Sequence, residues 1–301
     1  MNKYDYKKGL PAIFGAYLIW GFQSLYYYLC RGLDTFFILA ARIIFAGIAC
    51  FILVAALGKT GELKAAFCDR KILKREAGAM LLLFFDWAIY LWGVQNSKVM
   101  ECSLGYYIQP IVVFAFGALI FREKLTWKHI VILSIILAGV VLSSRGFGGL
   151  PWITVTLALL FAVYAANKKS LTLNSIVSTT MEIILMMPIG ILMILIFYRG
   201  DNGVAGLTFV DVLLLIGSGI ITAVPMLLYS TGISALPLMT AAVVQYLSPT
   251  FGIICGAITG ETLTKEKMVS FAFVWLGIIL YTLNLFSEHK KEIQAGKQGE
   301  T

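Results

Sequence analysis

Charge is what this chain has least of. Asp, Glu, Lys and Arg together make up 13% of its 301 residues, about half the share of a soluble globular protein. That scarcity excludes a soluble enzyme and a disordered chain. Histidine is nearly missing too. His129 falls at a loop edge and His289 in the C-terminal tail, neither with a partner at ligand spacing, so His-based catalysis and metal chemistry find no support. The five cysteines, Cys30, Cys50, Cys68, Cys102 and Cys255, are odd in number and form no CxxC pair. They are expected to be small buried hydrophobes, not a disulfide framework. There is no GxxxxGKS or GxxxxGKT loop to bind ATP phosphates. The ten-residue alternation of a β-barrel is absent as well. The 24 Lys and Arg are scattered through short connections, not gathered into a patch that could track a nucleic acid. No cofactor and no metal is expected.

What the chain does have is apolar length. Hydrophobic residues reach 59%, and the mean hydropathy is +0.87. A bilayer core needs roughly 20 apolar residues of helix. Ten such stretches, bounded by charge, Gly or Pro, run over about 9–31, 35–58, 75–96, 99–121, 127–145, 150–167, 175–198, 208–232, 236–259 and 267–287. The first follows Lys3, Lys7 and Lys8 as a signal peptide would. Its apolar run exceeds an h-region and no small-residue cleavage site follows, so it is expected to be a retained helix. The ends, 1–8 and 288–301, are polar.

Orientation follows from the basic residues in the loops. With a cytoplasmic N-terminus, 17 Lys and Arg fall on the inner side, from Lys3 through the Lys59–Arg75 connection to Lys297. The outer side holds six, Arg31, Lys98, Arg145, Arg199, Lys265 and Lys267, and Arg42 lies within a span. Both termini are therefore expected in the cytoplasm, with an even number of helices between them. The net charge of +8 is then mostly topological, and attraction to anionic inner-leaflet lipid accounts for it.

The chain also repeats itself. A shift of 139 pairs Tyr90 with Tyr229, Gly93 with Gly232, Met100 with Met239, Tyr107 with Tyr246 and Pro110 with Pro249. A shift of 138 then pairs Glu123 with Glu261, Leu125 with Leu263, Thr126 with Thr264 and Gly139 with Gly277. Upstream, a shift of 140 lays Arg42-Ile43-Ile44 over Glu182-Ile183-Ile184. Five helices per copy is an odd number, which turns the second copy upside down in the membrane. Inverted repeats are a construction of secondary transporters, with the cargo site near the midplane between the copies. The expected fold is all-α and integral to the membrane, ten helices as two inverted five-helix repeats. Residues 9–145 and 146–287 form the copies, 1–8 and 288–301 the cytoplasmic ends.

At this point the residues carry a family likeness. Ala16-Tyr17-Leu18-Ile19-Trp20-Gly21, Arg42, Glu101-Cys102-Ser103-Leu104-Gly105-Tyr106 and Pro110 mark the first half. Phe147-Gly148 with Leu150-Pro151, Tyr164 with Lys168-Lys169, Glu182, Pro188 and Val224-Pro225 continue the series. Gln245-Tyr246 with Pro249, Gly260-Glu261 and Lys267 through Trp275 complete it. In order and spacing the chain resembles the drug/metabolite transporter superfamily. Within it the likeness is to the EamA-like transporters and their RarD-like group, named as chloramphenicol-sensitivity proteins. The resemblance implies a ten-helix inner-membrane transporter of a small organic metabolite or drug-like compound, exporting and coupled to protons. The chain departs from the group's pattern at Asp86 and Gln109, each where an Asn is expected, and at Ala41, where a polar residue is expected. These departures bear on cargo.

Charged side chains at bilayer depth cost about 2.5–3.5 kcal/mol on insertion scales and tend to be functional. Arg42, Asp86 and Glu182 are the three that stand out. Either Arg42 holds an anionic group while Asp86 or Glu182 exchanges protons, or Arg42 pairs with one of the two as a structural lock. Gln109, Gln245, Tyr107 and Tyr246 are candidates for pocket lining, with helix packing as the alternative. Trp20 and Tyr90, with Trp92 and Tyr164, suit aromatic walls, an interfacial belt or core. Tyr26-Tyr27-Tyr28 suits the belt. Pro110, Pro225 and Pro249 are hinge candidates, because a proline inside a span frees a carbonyl one turn back. Glu101 suits a helix-start carboxylate, and Glu123 and Glu261 each suit a cap of the next helix. Gly252, Gly256 and Gly260, four apart, allow close approach, either between the repeats or in a homodimer. Two other functions fit parts of the same pattern: an exchanger with Arg42 gripping an anionic metabolite, and a non-transporting sensor or scaffold.

Overall fold

A computed structural model of the chain describes residues 4–30, 32–96, 98–143, 152–197, 206–258, 268–269, 272–284 and 287. Glu261, Leu263, Thr264, Gly260, the basic residues Arg31, Arg145, Arg199, Lys265 and Lys267, the 145/146 boundary and the 288–301 tail lie outside them. The described residues form helices only: α1 Tyr6–Leu29, α2 Thr35–Ala56, α3 Thr60–Cys68, α4 Arg70–Gln95, α5 Val99–Leu119 and α6 Trp127–Ser143. Then come α7 Trp152–Ser170, α8 Ser175–Phe197, α9 Phe209–Ala235, α10 Leu238–Gln245 and α11 Leu247–Ile258. Last is α12, Ala272–Asn284.

Two features depart from the apolar stretches read in the sequence. The helix α3 is short and polar and falls inside the connection between the second and third stretches. The ninth stretch is not one helix but two, α10 and α11. Pro249 has no N–H, so the carbonyl of Gln245, one turn back, loses its helical donor. Gln245 is the last residue of α10.

Local chemistry sets the helix ends. Asp34 caps α2, its carboxylate accepting from the amides of Phe36 and Phe37. Thr208 and Asp211 form a reciprocal capping box at the start of α9. At the end of α2, Gly58 takes φ +67°. The amide of Gly58 bonds to the carbonyl of Ala55 and that of Lys59 to the carbonyl of Val54. This is a Schellman closure, which favours glycine at the left-handed position.

The helices α2, α8 and α9 are each long and apolar enough to cross a bilayer. Their outward side chains are apolar: Phe51, Ile52, Leu192, Leu195, Leu213 and Ile220 are all exposed. The interior is where charge is found. Glu76, Asp86, Gln109, Lys168, Glu182 and Gln245 are all buried. Apolar outside and charged inside is a molecule solvated by lipid.

The helices pack mainly between the two halves of the chain. α1 packs on α9 and α11, α2 on α8 and α9, α4 on α7 and α8, and α5 on α7 and α10. Matching α1, α2, α4 and α5 to α7, α8, α9 and the α10–α11 pair maps these pairings onto one another. Gly219 lets α9 approach α2, since a Cβ there would meet the carbonyl carbon of Phe45 at 2.6 Å. At the centre Tyr17, Trp20, Phe161, Tyr164 and Tyr229 pack ring against ring at centroid spacings of 5.4–6.1 Å. His129 stacks on Tyr281 at 5.6 Å, joining α6 to α12.

Candidate functional site

The polar side chains inside the helix bundle fall into three groups. The first surrounds Arg42 on α2. Its Nη1 donates to the hydroxyl of Tyr27 at 3.0 Å, which also accepts from Nε2 of Gln23 at 2.7 Å. Its guanidinium carbon stands 4.0 Å from the ring centroid of Trp87, a cation–π contact that stabilises the charge without neutralising it. Its Nε is buried and has no partner. Among the described residues no carboxylate forms an ion pair with Arg42. Tyr90 and Tyr106, packed edge to face at 5.2 Å, both lie within electrostatic reach of it.

The second group is a row of side chains through the centre. Nε2 of Gln109 donates to Oδ1 of Asp86 at 3.4 Å and to the carbonyl of Leu157 at 3.2 Å. Nε2 of Gln245 donates to Oε1 of Gln109 at 3.0 Å. Asp86, Gln109 and Gln245 are 2%, 1% and 5% exposed, so the row is shut off from water. It joins α4, α5 and α7 to the break between α10 and α11. The repeat mates Tyr107 and Tyr246 meet beside it, the Tyr246 hydroxyl donating to the Tyr107 carbonyl at 3.1 Å.

The third group surrounds Glu182 on α8. Its Oε2 pairs with Nζ of Lys168 at 2.8 Å and accepts from the Tyr164 hydroxyl at 3.3 Å. Lys168 also donates to Oγ of Ser178 at 2.7 Å. The carboxyl of Glu76, from α4, comes within hydrogen-bonding reach of Glu182. Both oxygens of Glu76 and Oε1 of Glu182 are buried and have no partner.

The sequence puts Arg42, Asp86 and Glu182 forward for a single pocket. The fold sets Glu182 apart from the other two. Asp86 and Trp87 are neighbours on α4, so the central row adjoins the Arg42 group. Glu182 belongs to a different cluster, and the cation it pairs with is Lys168, not Arg42. Trp20 lies in the central aromatic packing, and Tyr90 beside Arg42. The helices α5 and α9 run unbroken through Pro110 and Pro225, whereas the chain breaks one turn before Pro249. Glu101 pairs with Lys98 in the first turn of α5. Among the described residues, a Cβ on Gly252 would meet nothing within 4 Å, so no described helix closes on that glycine.

Three participants are not legible in the sequence. Glu76 directly follows the basic run that ends in Arg75, so it looks like a loop charge. Lys168 counts toward orientation and the family likeness, with no site role assigned to it. Tyr27 looks like belt, though it binds Arg42; its one signal is a tyrosine near the outer end of a span, facing a span that carries an arginine.

The EamA-like transporter family matches residues 7–145 and, a second time, residues 149–283. The chain belongs to the EamA-like transporter family. It is thus a multi-pass membrane transporter of the drug/metabolite superfamily. It is 31% identical to the uncharacterized transporter YojE of Bacillus subtilis, over 94% of this chain and 96% of that one. It is 29% identical to protein RarD of Streptomyces exfoliatus, over 92% and 89%. With protein RarD of Escherichia coli it shares 28% over 94% and 97%. A solved crystal structure superposes with a TM-score of 0.75 at 17% identity, covering 93% of this chain and 98% of the other.

Proposed function

We propose that the chain is a secondary active transporter of the cytoplasmic membrane. It moves a small organic metabolite or drug-like compound outward, in exchange for protons, by rocking two inverted five-helix repeats. In this reading α10 and α11 make one broken span, α3 lies at the inner surface and both termini are cytoplasmic. Cargo binds between Arg42, Trp87, Tyr90, Asp86 and Gln109. The observation that carries this reading is the state of Arg42: a cation at bilayer depth, braced by Tyr27 and Trp87, with Nε unpartnered and, among the described residues, no carboxylate paired with it. A buried charge is normally paired. The missing partner is supplied by cargo, which makes an anionic group on a planar or amphipathic molecule the best fit. Closure of the Asp86–Gln109–Gln245 row is what an occluded step of alternating access requires.

The same arginine also suits an exchanger of anionic metabolites, in which two substrates swap without a proton. Counterflow that ignores an imposed pH gradient favours the exchanger; accumulation driven by the gradient favours proton coupling.

The reading is tested by melting purified protein against a library of anionic metabolites and antibiotics. A compound at about 100 times its dissociation constant adds roughly 2.7 kcal/mol to the folded state. The shift is expected to vanish in Arg42→Gln and to weaken in Asp86→Asn. A hit that survives both substitutions removes this site from the cargo path.

A further inference from the structure

We propose that Glu76 and Glu182 form an acid pair holding one exchangeable proton, and that this pair, not Asp86, is where the transporter takes up and releases the proton of its cycle. The coupling half of this statement rests on the transporter reading above. The proton-holding half stands without it.

Charge does not balance in the closed space around these two acids. Glu76 and Glu182 are 0% exposed and Lys168 is 3% exposed. Two carboxylates and one ammonium leave one negative charge sealed inside the protein, a state that desolvation strongly disfavours. Hydrogen bonding makes the same point. An ionised carboxylate only accepts. With both acids ionised the two carboxyls face each other with acceptors and no donor, which matches the three unpartnered oxygens, Oε1 and Oε2 of Glu76 and Oε1 of Glu182. One proton removes both faults. It neutralises the cluster and supplies the O–H that one carboxyl donates to the other.

Among the described residues, no second cation pairs with the two acids. On α7, Lys168 and Tyr164 already engage Oε2 of Glu182. On α8 itself, Ser178 accepts from Lys168. From α9, Tyr229 lies within electrostatic reach of Glu182 and itself contacts Tyr17 of α1. From α2, Cys50 lies near Lys168 and Thr180. From α3, Leu63 and Ala66 pack on α8 as apolar side chains. Lys168 is the cation that answers the two acids.

Position links the pair to the working motion. Glu76 belongs to the first half of the chain, and Glu182 with Lys168 to the second. Arg75, one residue before Glu76, donates to Ser170 at the exposed end of the α4–α7 seam, and its carbonyl accepts from Asn167 at 3.2 Å. The pair thus sits just behind the inner mouth of that seam. When the halves part there, water enters, Glu76 leaves Glu182, and the shared proton passes to water as both carboxyls ionise. When the halves close, a proton returns. On the same helix, Asp86 and Trp87 stand ten and eleven residues beyond Glu76, about 15 Å along the axis. A shift of α4 therefore reaches the cargo groups and the proton pair together.

Infrared spectra of the protein in lipid vesicles test the pair without any cargo. At neutral pH the wild type is expected to show a protonated carboxylic-acid carbonyl band that shifts in deuterated buffer. That band should be missing from Glu76→Gln, while a band from Asp86, removed by Asp86→Asn, stays. The side-chain amide of Glu76→Gln supplies a fixed N–H donor in place of the shared proton and keeps the Lys168 ion pair, so this variant should fold even if Glu182→Gln does not. Above the ordinary carboxyl range, where the unfolded chain has lost the proton and the folded pair still holds it, the wild-type melting temperature should fall by about 3 °C per pH unit, and Glu76→Gln should stay flat. Identical spectra or parallel melting profiles for wild type and Glu76→Gln overturn the acid pair. With a compound that shifts the melting temperature, gradient-driven accumulation should drop at least tenfold in Glu76→Gln while counterflow persists. Counterflow missing from the wild type sinks the transporter reading instead. Unchanged gradient-driven accumulation in Glu76→Gln overturns the coupling role.

Discussion

Lys168 is one residue whose removal should be felt beyond its own contacts. It is the cation opposite two buried acids, and it bonds Glu182 and Ser178 at once. In Lys168→Met the carboxylates are left in a dry interior, which typically costs about 3–5 kcal/mol. The expected outcome is a large fall in melting temperature in detergent, with much of it recovered in the double variant Lys168→Met, Glu182→Leu. The recovery is the informative part. Losses that add would mean that the two side chains do not act on each other, whereas a pair whose members neutralise each other gives a double variant milder than the single one. Additive losses would show that Lys168 acts on the fold by another route. Arg42 is the opposite case. Its charge is held by a ring and a hydroxyl instead of a carboxylate, which leaves it available.

At the scale of elements, Glu123 shows how one half of the chain organises the other. It lies just past the end of α5, and its two carboxylate oxygens accept from the amides of Leu238 at 2.6 Å and Met239 at 2.9 Å. These are the first two residues of α10, whose own N-cap is Pro237 and provides no side-chain acceptor. A carboxylate at a helix N-terminus satisfies orphan amides and answers the helix dipole. Glu123→Gln should therefore loosen α10 by about 1 kcal/mol, seen as roughly fivefold faster hydrogen exchange at the Leu238 and Met239 amides. Unchanged exchange would mean that α10 is held by packing alone. The sequence does point to Glu123 as a cap, because an acid at the end of an apolar run is conspicuous. It points to the next helix in the chain, α6, whereas the carboxylate caps α10, since α5 and α10 meet only in the fold. The same distinction runs through the other elements. Hydropathy locates the long helices to within a few residues, because lipid requires about twenty apolar residues in a row. It misses α3, whose nine residues carry Lys64 and Glu62 and satisfy no such requirement. It treats α10 and α11 as one stretch, because apolar length records nothing about a missing N–H. Pro249 is legible as a hinge candidate, and the break falls one turn before it.

At the scale of the molecule the question is which way the bundle sits, and a native side chain can answer it. Of the five cysteines, Cys30, Cys50, Cys102 and Cys255 are buried and Cys68 is exposed. Cys68 ends α3, within the connection that holds Lys59, Lys64, Arg70, Lys71, Lys74 and Arg75. Six basic residues in one short loop carry more of the orientation signal than any other segment, and such loops stay on the cytoplasmic side. The proposed orientation therefore places Cys68 inside. A membrane-impermeant maleimide should leave the protein unlabelled in intact cells and label it in inside-out vesicles, with the signal lost in Cys68→Ser. Labelling from the outside of intact cells would turn the whole bundle over. The consequence would reach beyond topology. The α4–α7 seam, with Glu76 just behind it, lies at the same end of the bundle as α3, because Arg75 and Ser170 are joined there. An inverted bundle would open the proton pair to the outer face and the Arg42 group to the cytoplasm. Each site would then open toward the face opposite to the one proposed, while the proton gradient would still set the direction of exchange.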